Sequence, residues 1–225
     1  MKNSTITKII TIIGLALLFT SIIMIIWINA PITSRSRVIS LLQKTTTSNN
    51  LYAKMTTLSD NSNNVTESEF FKKDNLQLMK INSPIVNETI CTNTSNNEII
   101  RIDNSSLIAV KTNPANMEKT VNYEYVPSYI MDTNTSFKYI TQENFNNVKC
   151  VVAEFAYTDS STGSAITHKL WIDRNDGTVQ KDERTEINPA NQTIKSVTTY
   201  ETEFGVVNQS EVATPDLSNY TLARY

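Results

Sequence analysis

Glycine is scarce in this chain, with four in 225 residues, and histidine and cysteine are scarcer still at one and two. A phosphate-cradling loop needs several glycines, and a zinc ribbon or multi-histidine centre needs more ligands than these, so those function classes are excluded. No cofactor and no metal site is expected. Neither charge sign dominates: 20 Lys plus Arg stand against 22 Asp plus Glu, a net charge of −2. That balance lacks the basic footprint of a nucleic-acid binder. The first thirty residues hold Lys2 and Lys8 as their only charged side chains, so 18 basic and 22 acidic groups remain beyond them, a mildly acidic, soluble remainder of net −4. What fills the chain instead is 26 Asn and 30 Thr.

The one long apolar run is Ile9–Ile28, twenty residues without a charge. At 1.5 Å per residue a helix of that length matches a hydrocarbon core of about 30 Å. A cleavable signal peptide has a shorter apolar region, roughly 7–15 residues, ending in a small-x-small site, whereas here Ile28 stands three places before a cut after Ala30. The run therefore predicts an uncleaved signal anchor over 9–28, with 1–8 as a cytoplasmic tail and 31–225 as an extracytoplasmic domain on the cell membrane. N-terminal lipidation would need a cysteine just after the run, and the first is Cys91. Flanking charges tie, with Lys2, Lys8 and the α-amino group facing Arg35, Arg37 and Lys44. The outward placement rests on the β-rich character of the long segment after residue 31.

After Pro31, Val38, Ile39, Leu41 and Leu42 form a helical stripe in Arg35–Lys44. From Tyr52 the period changes to two. Tyr52–Leu58, Thr66–Lys72, Leu76–Ile81, Ile85–Thr92, Glu98–Asp103 and Ser106–Thr112 read as strands separated by Asn- and Ser-rich turns. Asn113–Asn134 breaks the pattern with Pro114, Pro127 and scattered aromatics, an insertion that crosses or plugs the structure. Strands resume at Phe137–Asn144, Val148–Tyr157, Ala165–Asp173, Thr178–Ile187 and Ile194–Val207, and Glu211–Tyr225 reads as an edge or capping segment. So long a meander must curl to bury one face. The expectation is a mainly β fold with a short N-terminal helix, a curved antiparallel sheet or incomplete barrel around that helix.

Candidate functional residues are few. Asp173 and Asp176 flank an Asn175-Asp176-Gly177 turn, but the Gly falls one place too early for an EF-hand loop and no Glu follows at its twelfth position; a tight hairpin explains the motif. His168 shares a face with Ile166, Leu170 and Ile172 and has no nucleophile in its motif, so it reads as a packed strand residue rather than a general base. Cys91 and Cys150, in two different strands, are a candidate disulfide or two inert buried thiols. No pair of carboxylates stands out as a glycosidase pair. The candidate apolar binding face comprises Val152, Phe155, Ile166, Leu170 and Trp171. Strand Val148–Tyr157 offers two alternating sets, one with Val152 and one with Phe155, and the sequence does not choose which lines the concavity.

Leu51-Tyr52-Ala53-Lys54-Met55, Phe70–Asn75, Glu88-Thr89-Ile90-Cys91 and Asn97–Asp103 resemble the first half of the LolA/LolB-like lipoprotein-localisation superfamily. Asn144–Cys150, Leu170-Trp171-Ile172-Asp173 and Ala213–Tyr220 resemble its second half, most of all in the Gram-positive branch that includes spore-germination lipoproteins. The resemblance covers residues 35–220 and implies lipid or lipoprotein handling, or support of spore-cortex modification during germination. The membrane helix in place of a lipid-modified cysteine departs from that family and argues against a shuttling carrier. The expected function is a membrane-tethered, non-enzymatic binding protein that docks an envelope protein. An acyl or lipid ligand is the alternative, and a cell-envelope hydrolase is a further one.

Overall fold

The computed structural model describes residues 13, 17–21, 32–60, 62–112 and 128–224. The chain divides into two units, Met1–Thr33 and Ser34–Tyr225. In the first, residues 17–21 are helical. The predicted span over 9–28 lies mostly outside the described residues, and among the described residues no helix is long and apolar enough to cross a membrane. Most of the predicted insertion, residues 113–127, also lies outside them.

The second unit opens with helix α1 (Arg35–Thr46), whose buried residues Val38, Leu41, Leu42 and Thr45 fall at the spacing of one helical stripe. Six strands follow as a meander: β1 (Asn50–Ser59), β2 (Ser62–Lys73), β3 (Leu76–Asn82), β4 (Asn87–Asn93), β5 (Glu98–Asp103) and β6 (Ile108–Thr112). A 3-10 turn at Ser128–Met131 leads into a second meander: β7 (Ser136–Phe145), β8 (Val148–Thr158), β9 (Ala165–Asp173), β10 (Val179–Ile187) and β11 (Thr193–Phe204). A short β12 (Thr221–Arg224) closes the chain. All twelve form one open sheet in the order β12-β6-β5-β4-β3-β2-β1-β11-β10-β9-β8-β7. Among the described strands, the two meanders pair only at the antiparallel seam between β1 and β11. The sheet is not wholly antiparallel as expected: β12 runs parallel to β6, because the chain returns to the far edge after β11 rather than by a hairpin.

The scarcity of glycine is made good by asparagine. Asp74, Asn97, Asn146, Asn147 and Asn191 take left-handed backbone at turns, where a short side chain that bonds its own backbone is tolerated. Asn146 and Asn147 form the two-residue turn between β7 and β8, which requires φ above zero at both places.

Strand registers separate two faces. Leu51, Ala53 and Met55 of β1 share a face with Phe70 and Lys72 of β2 and, through β11 and β10, with Leu170 and His168 of β9 and with Val151, Ala153 and Phe155 of β8. Helix α1 lies on this side, since the Lys72 ammonium donates to the Thr46 carbonyl. On this helix face Leu51, Ala53, Val151, Phe155, Leu170 and Ile172 are fully buried, as are Val38 and Leu42 of the helix. The turn after β9 is pulled against α1. The Lys44 ammonium donates to the Asn175 carbonyl and the Thr45 hydroxyl to that of Asp176. At the other end of the helix, the Arg35 guanidinium donates to the carbonyls of Asp132 and Thr133.

The outer face of the first meander carries Phe71, Leu78, Cys91, Ile100, Ile102 and Ala109, and the segment after β11 straps across it with Val207, Val212, Leu217 and Tyr220. Gly205, with φ of +76°, turns the chain out of β11 at this point. Asn50 pins the strap at one end, its side-chain oxygen accepting from the Val207 N–H and its side-chain amide donating to the Val207 carbonyl. The Tyr220 hydroxyl donates to Asn104 at the other.

Candidate functional site

The five residues of the predicted apolar binding face do not share a face. Phe155, Ile166 and Leu170 lie on the helix face and are buried in the core, whereas Val152 and Trp171 lie on the outer face of the second meander, packed with Cys150. This corrects the expected single face, and the physical reason is the strict alternation of β8 and β9. The helix-face set is also not open, because the chain's own residues fill the space over it. Trp171 is closed off in a different way: its indole N–H donates to Glu143 at 2.5 Å, and the ammonium groups of Lys169 and Lys181 stand 4.7 and 4.4 Å from its ring centroid. Long lysine stems cover apolar surface in this manner while keeping their charges in water.

Cys91 and Cys150 are free thiols, not a disulfide. Six strands lie between β4 and β8 in the sheet, at about 4.8 Å per step, which is far beyond the roughly 7 Å that a bridge spans. Burial pushes each thiol up to about 11, helped at Cys150 by the Asp173 charge. Both are therefore poor nucleophiles at neutral pH. His168 is packed as expected. Its Nδ1 lies 2.8 Å from Asp182 Oδ2, with 3% and 9% of the two side chains exposed, and its ring stacks parallel to Tyr157. Asp182 Oδ1 accepts no hydrogen bond among the described residues. The Asn175-Asp176-Gly177 motif is a turn, as expected, and Thr178 donates to the Asp176 carboxylate through both its N–H and its hydroxyl. Among the described residues no group of acidic, histidine or cysteine side chains could hold a metal ion.

An open cleft of about 350 Å³ lies on the outer face where β1, β2, β3 and β11 meet the strap, lined by Tyr52, Glu69, Phe71, Lys80, Glu203 and Glu211 together with Val206 and Val207. Register builds it. Tyr52 on β1 is directly opposite Phe71 on β2 and Glu203 on β11, and Glu69 on β2 is opposite Lys80 on β3. Cross-strand neighbours in this sense have β-carbons about 4.5–5.5 Å apart, which brings these side chains into one patch. The floor is aromatic: the rings of Tyr52 and Phe71 are tilted at 52° with centroids 5.1 Å apart. The Tyr52 hydroxyl donates to Glu69 at 3.0 Å, and the Lys80 ammonium stands 5.0 Å from the Phe71 centroid. Glu211 reaches the rim from the strap, where its carboxylate accepts from the Asn208 N–H in a capping box. Lys54, opposite both Glu69 and Glu201, flanks the patch. Burial, the bond to Glu69 and the charges of Glu69, Glu201 and Glu203 push the Tyr52 phenol up to about 12. Val206, part of the lining, is exposed. None of its carboxylates stands out in the sequence. Tyr52 stands in a family-like motif, but only the pairing of β1 with β11, far apart in the chain, brings Glu203 to it.

Fold and site together define a class: an open, curved, mainly β sheet of twelve strands, with a helix packed on one face and an acidic, aromatic-floored cleft on the other. No protein-family model matches the chain, and no curated protein matches it by sequence. Among solved structures it is similar to an uncharacterized conserved protein from Thermus thermophilus, at 7% identity over 84% of this chain and 98% of that one, with a TM-score of 0.57. It is also similar to MucB, at 11% identity over 83% of this chain and a TM-score of 0.51, spanning 64% of the MucB chain's length. A LolA superfamily protein from Nitrosomonas europaea matches at 11% identity, over 79% of this chain and 97% of that one, with a TM-score of 0.35. At such identities the first two likenesses establish a shared fold.

Proposed function

We propose that this chain is a membrane-tethered, extracytoplasmic and non-enzymatic binding protein that docks a partner protein. The observation that carries this reading is the filling of the helix face. Phe155, Leu170 and Ile172 are shut away from solvent beneath the chain's own residues, while the open cleft is small, charged and bordered by glutamates. An acyl chain gains its binding energy from apolar surface, and a glutamate-rimmed cleft offers it little. A protein segment, with both polar and apolar groups, matches such a site better. The fold admits the role, since MucB is solved in a complex with MucA. Burial of the single histidine against Asp182 places it out of a substrate's reach, which supports the non-enzymatic part. The anchor over 9–28, the extracytoplasmic placement, membership of the LolA/LolB-like superfamily and a role in spore-cortex modification rest on the sequence resemblance and hydropathy.

The test uses the full chain in its native membranes, with a photocrosslinking residue placed at Val206 and, separately, at Leu222, both exposed. Discrete protein adducts from either position are expected. Adducts with lipid alone would replace this reading with the lipid-binding one. Turnover of peptidoglycan or lipid by the purified chain would make it a hydrolase.

A further inference from the structure

The cleft combines three features whose conjunction goes beyond generic docking. Its floor presents two aromatic rings, and such rings attract a cation to their faces. Carboxylates approach that floor from three separate elements, Glu69 from β2, Glu203 from β11 and Glu211 from the strap. With Glu201 and the flanking Lys54 and Lys80 included, the patch keeps a formal charge of −2. Burial first, then the bond to Glu69 and the charges of Glu69, Glu201 and Glu203, raise the Tyr52 phenol. Finally, the chain already places a cation of its own here, the Lys80 ammonium over Phe71. The volume of about 350 Å³ sits at the low end of ligand pockets, roughly 300–1,000 Å³, which suits one long side chain and its adjoining backbone.

We propose that the cleft of Tyr52, Phe71, Glu69, Glu203 and Glu211 receives an arginine side chain from a basic segment of the partner protein. The proposal rests on the docking reading and names the chemistry by which docking is selective. A guanidinium is planar, lies flat on aromatic rings, and carries five donors that pair with carboxylates two at a time. Lysine brings a compact ammonium that can satisfy the rim or the floor but stacks poorly. The exposed Val206 in the lining lies where the apolar part of such a segment would rest. Lys80 competes with the incoming charge, so it sets a ceiling on affinity.

The experiment measures fluorescence anisotropy of a labelled hexapeptide alternating alanine and arginine, titrated with the full chain in detergent micelles. Counterparts carry lysine or the uncharged citrulline in place of arginine, and phosphocholine serves as a competitor. Arginine peptide should bind more tightly than lysine peptide, citrulline peptide should not bind, and salt should weaken the complex. Glu203→Gln should weaken binding about two- to fivefold, the range of an exposed charge contact. Lys80→Met, which removes the resident cation, should tighten it by a similar factor, a gain that no merely structural role predicts. Thermal melts of both variants within a few degrees of the parent verify the fold. Absence of binding, equal binding of the citrulline peptide, or indifference to both substitutions overturns the proposal. Displacement by phosphocholine without any arginine preference also overturns it and assigns the cleft to a choline headgroup. If the peptide fails while crosslinks at Val206 or Leu222 still capture a protein, this inference falls and the docking reading stands; if the crosslinks yield no protein, the docking reading itself falls.

Discussion

The α-carbon of Gly177 lies directly beneath the carbonyl of Leu41, so close that a β-carbon there would fall 1.8 Å from the oxygen. The β9–β10 turn thus seats helix α1 by backbone contact, with Lys44 and Thr45 bonding the same turn. Gly177 also holds φ at +81°, so any side chain meets both a strained backbone and a clash. Gly177→Ala should cost about 2–4 kcal/mol, the left-handed penalty plus overpacking, or a fall in Tm of about 5–15 °C. Gly205 is the comparison, with φ of +76° but nothing within 4 Å of the added carbon. Gly205→Ala should cost only about 1 kcal/mol. Equal losses in the two melts would show that α1 is not seated by the turn.

The strap should open locally when its clamp is cut. Asn50→Ala removes two hydrogen bonds to Val207, about 1–3 kcal/mol of local stability. Cys91 lies beneath the strap and Cys150 does not. Alkylation of Cys91 under native conditions should therefore accelerate about tenfold, while Cys150 stays at the parent rate. Acceleration of both would mean global rather than local opening.

Phe155 and Trp171 test the two faces separately. Phe155 is fully buried and meets Phe137 edge-on at 5.5 Å, so Phe155→Ala should cost about 3–5 kcal/mol and leave little folded protein at 37 °C. Trp171→Phe keeps most of the apolar contact and loses the indole N–H bond to Glu143, a cost of about 1 kcal/mol. A Trp171→Phe melt as low as that of Phe155→Ala would contradict the division into a deep helix-side core and a shallower outer cluster.

Alkaline pH should destabilise the domain through its thiols. Cys91 and Cys150 are pushed up from 9.0 to about 11 in the folded state, so between those values the unfolded chain has released protons that the native one retains. Their contribution is fully present below pH 9 and declines as pH rises through 11. The melting temperature should fall more steeply over that window in the parent than in a Cys91→Ala, Cys150→Ala double variant, whatever the offset between them. Parallel slopes would show that the thiols are not the source.

Legibility in the sequence followed the range of the interaction. Period-two alternation located eleven of the twelve strands, and the stripe through Val38, Leu41 and Leu42 located α1, because both signals are local. The strand expected from Ile85 begins at Asn87, since the Ser83 hydroxyl accepts from the N–H groups of Ile85 and Val86 and holds them in a turn. The strand expected to reach Val207 ends at Phe204, where Gly205 turns out of the sheet. The edge or capping role expected of Glu211–Tyr225 is filled by β12 at the sheet's edge, but its four residues carry no period of their own and its partner β6 lies more than a hundred positions earlier, so its pairing was not legible. The cleft was illegible for the same reason: Tyr52, Glu69 and Lys80 come from neighbouring strands, but Glu203 and Glu211 join them only once the seam is paired.

The seam also bears on the order of folding. Leu51 pairs with Phe204 across 153 positions of sequence, whereas every other antiparallel pairing joins consecutive strands. Closing so large a loop costs about 3 kcal/mol more than closing a short hairpin, so each meander is expected to assemble from its neighbours before the two join. Thr57 and Thr198 share a hydroxyl hydrogen bond of 2.9 Å across this seam. Thr198→Ala should accordingly speed unfolding with little change in refolding, and a slowed refolding limb would instead place the seam in the nucleus. Because the acidic cleft straddles β1 and β11, this order would make it late to take shape and early to come apart.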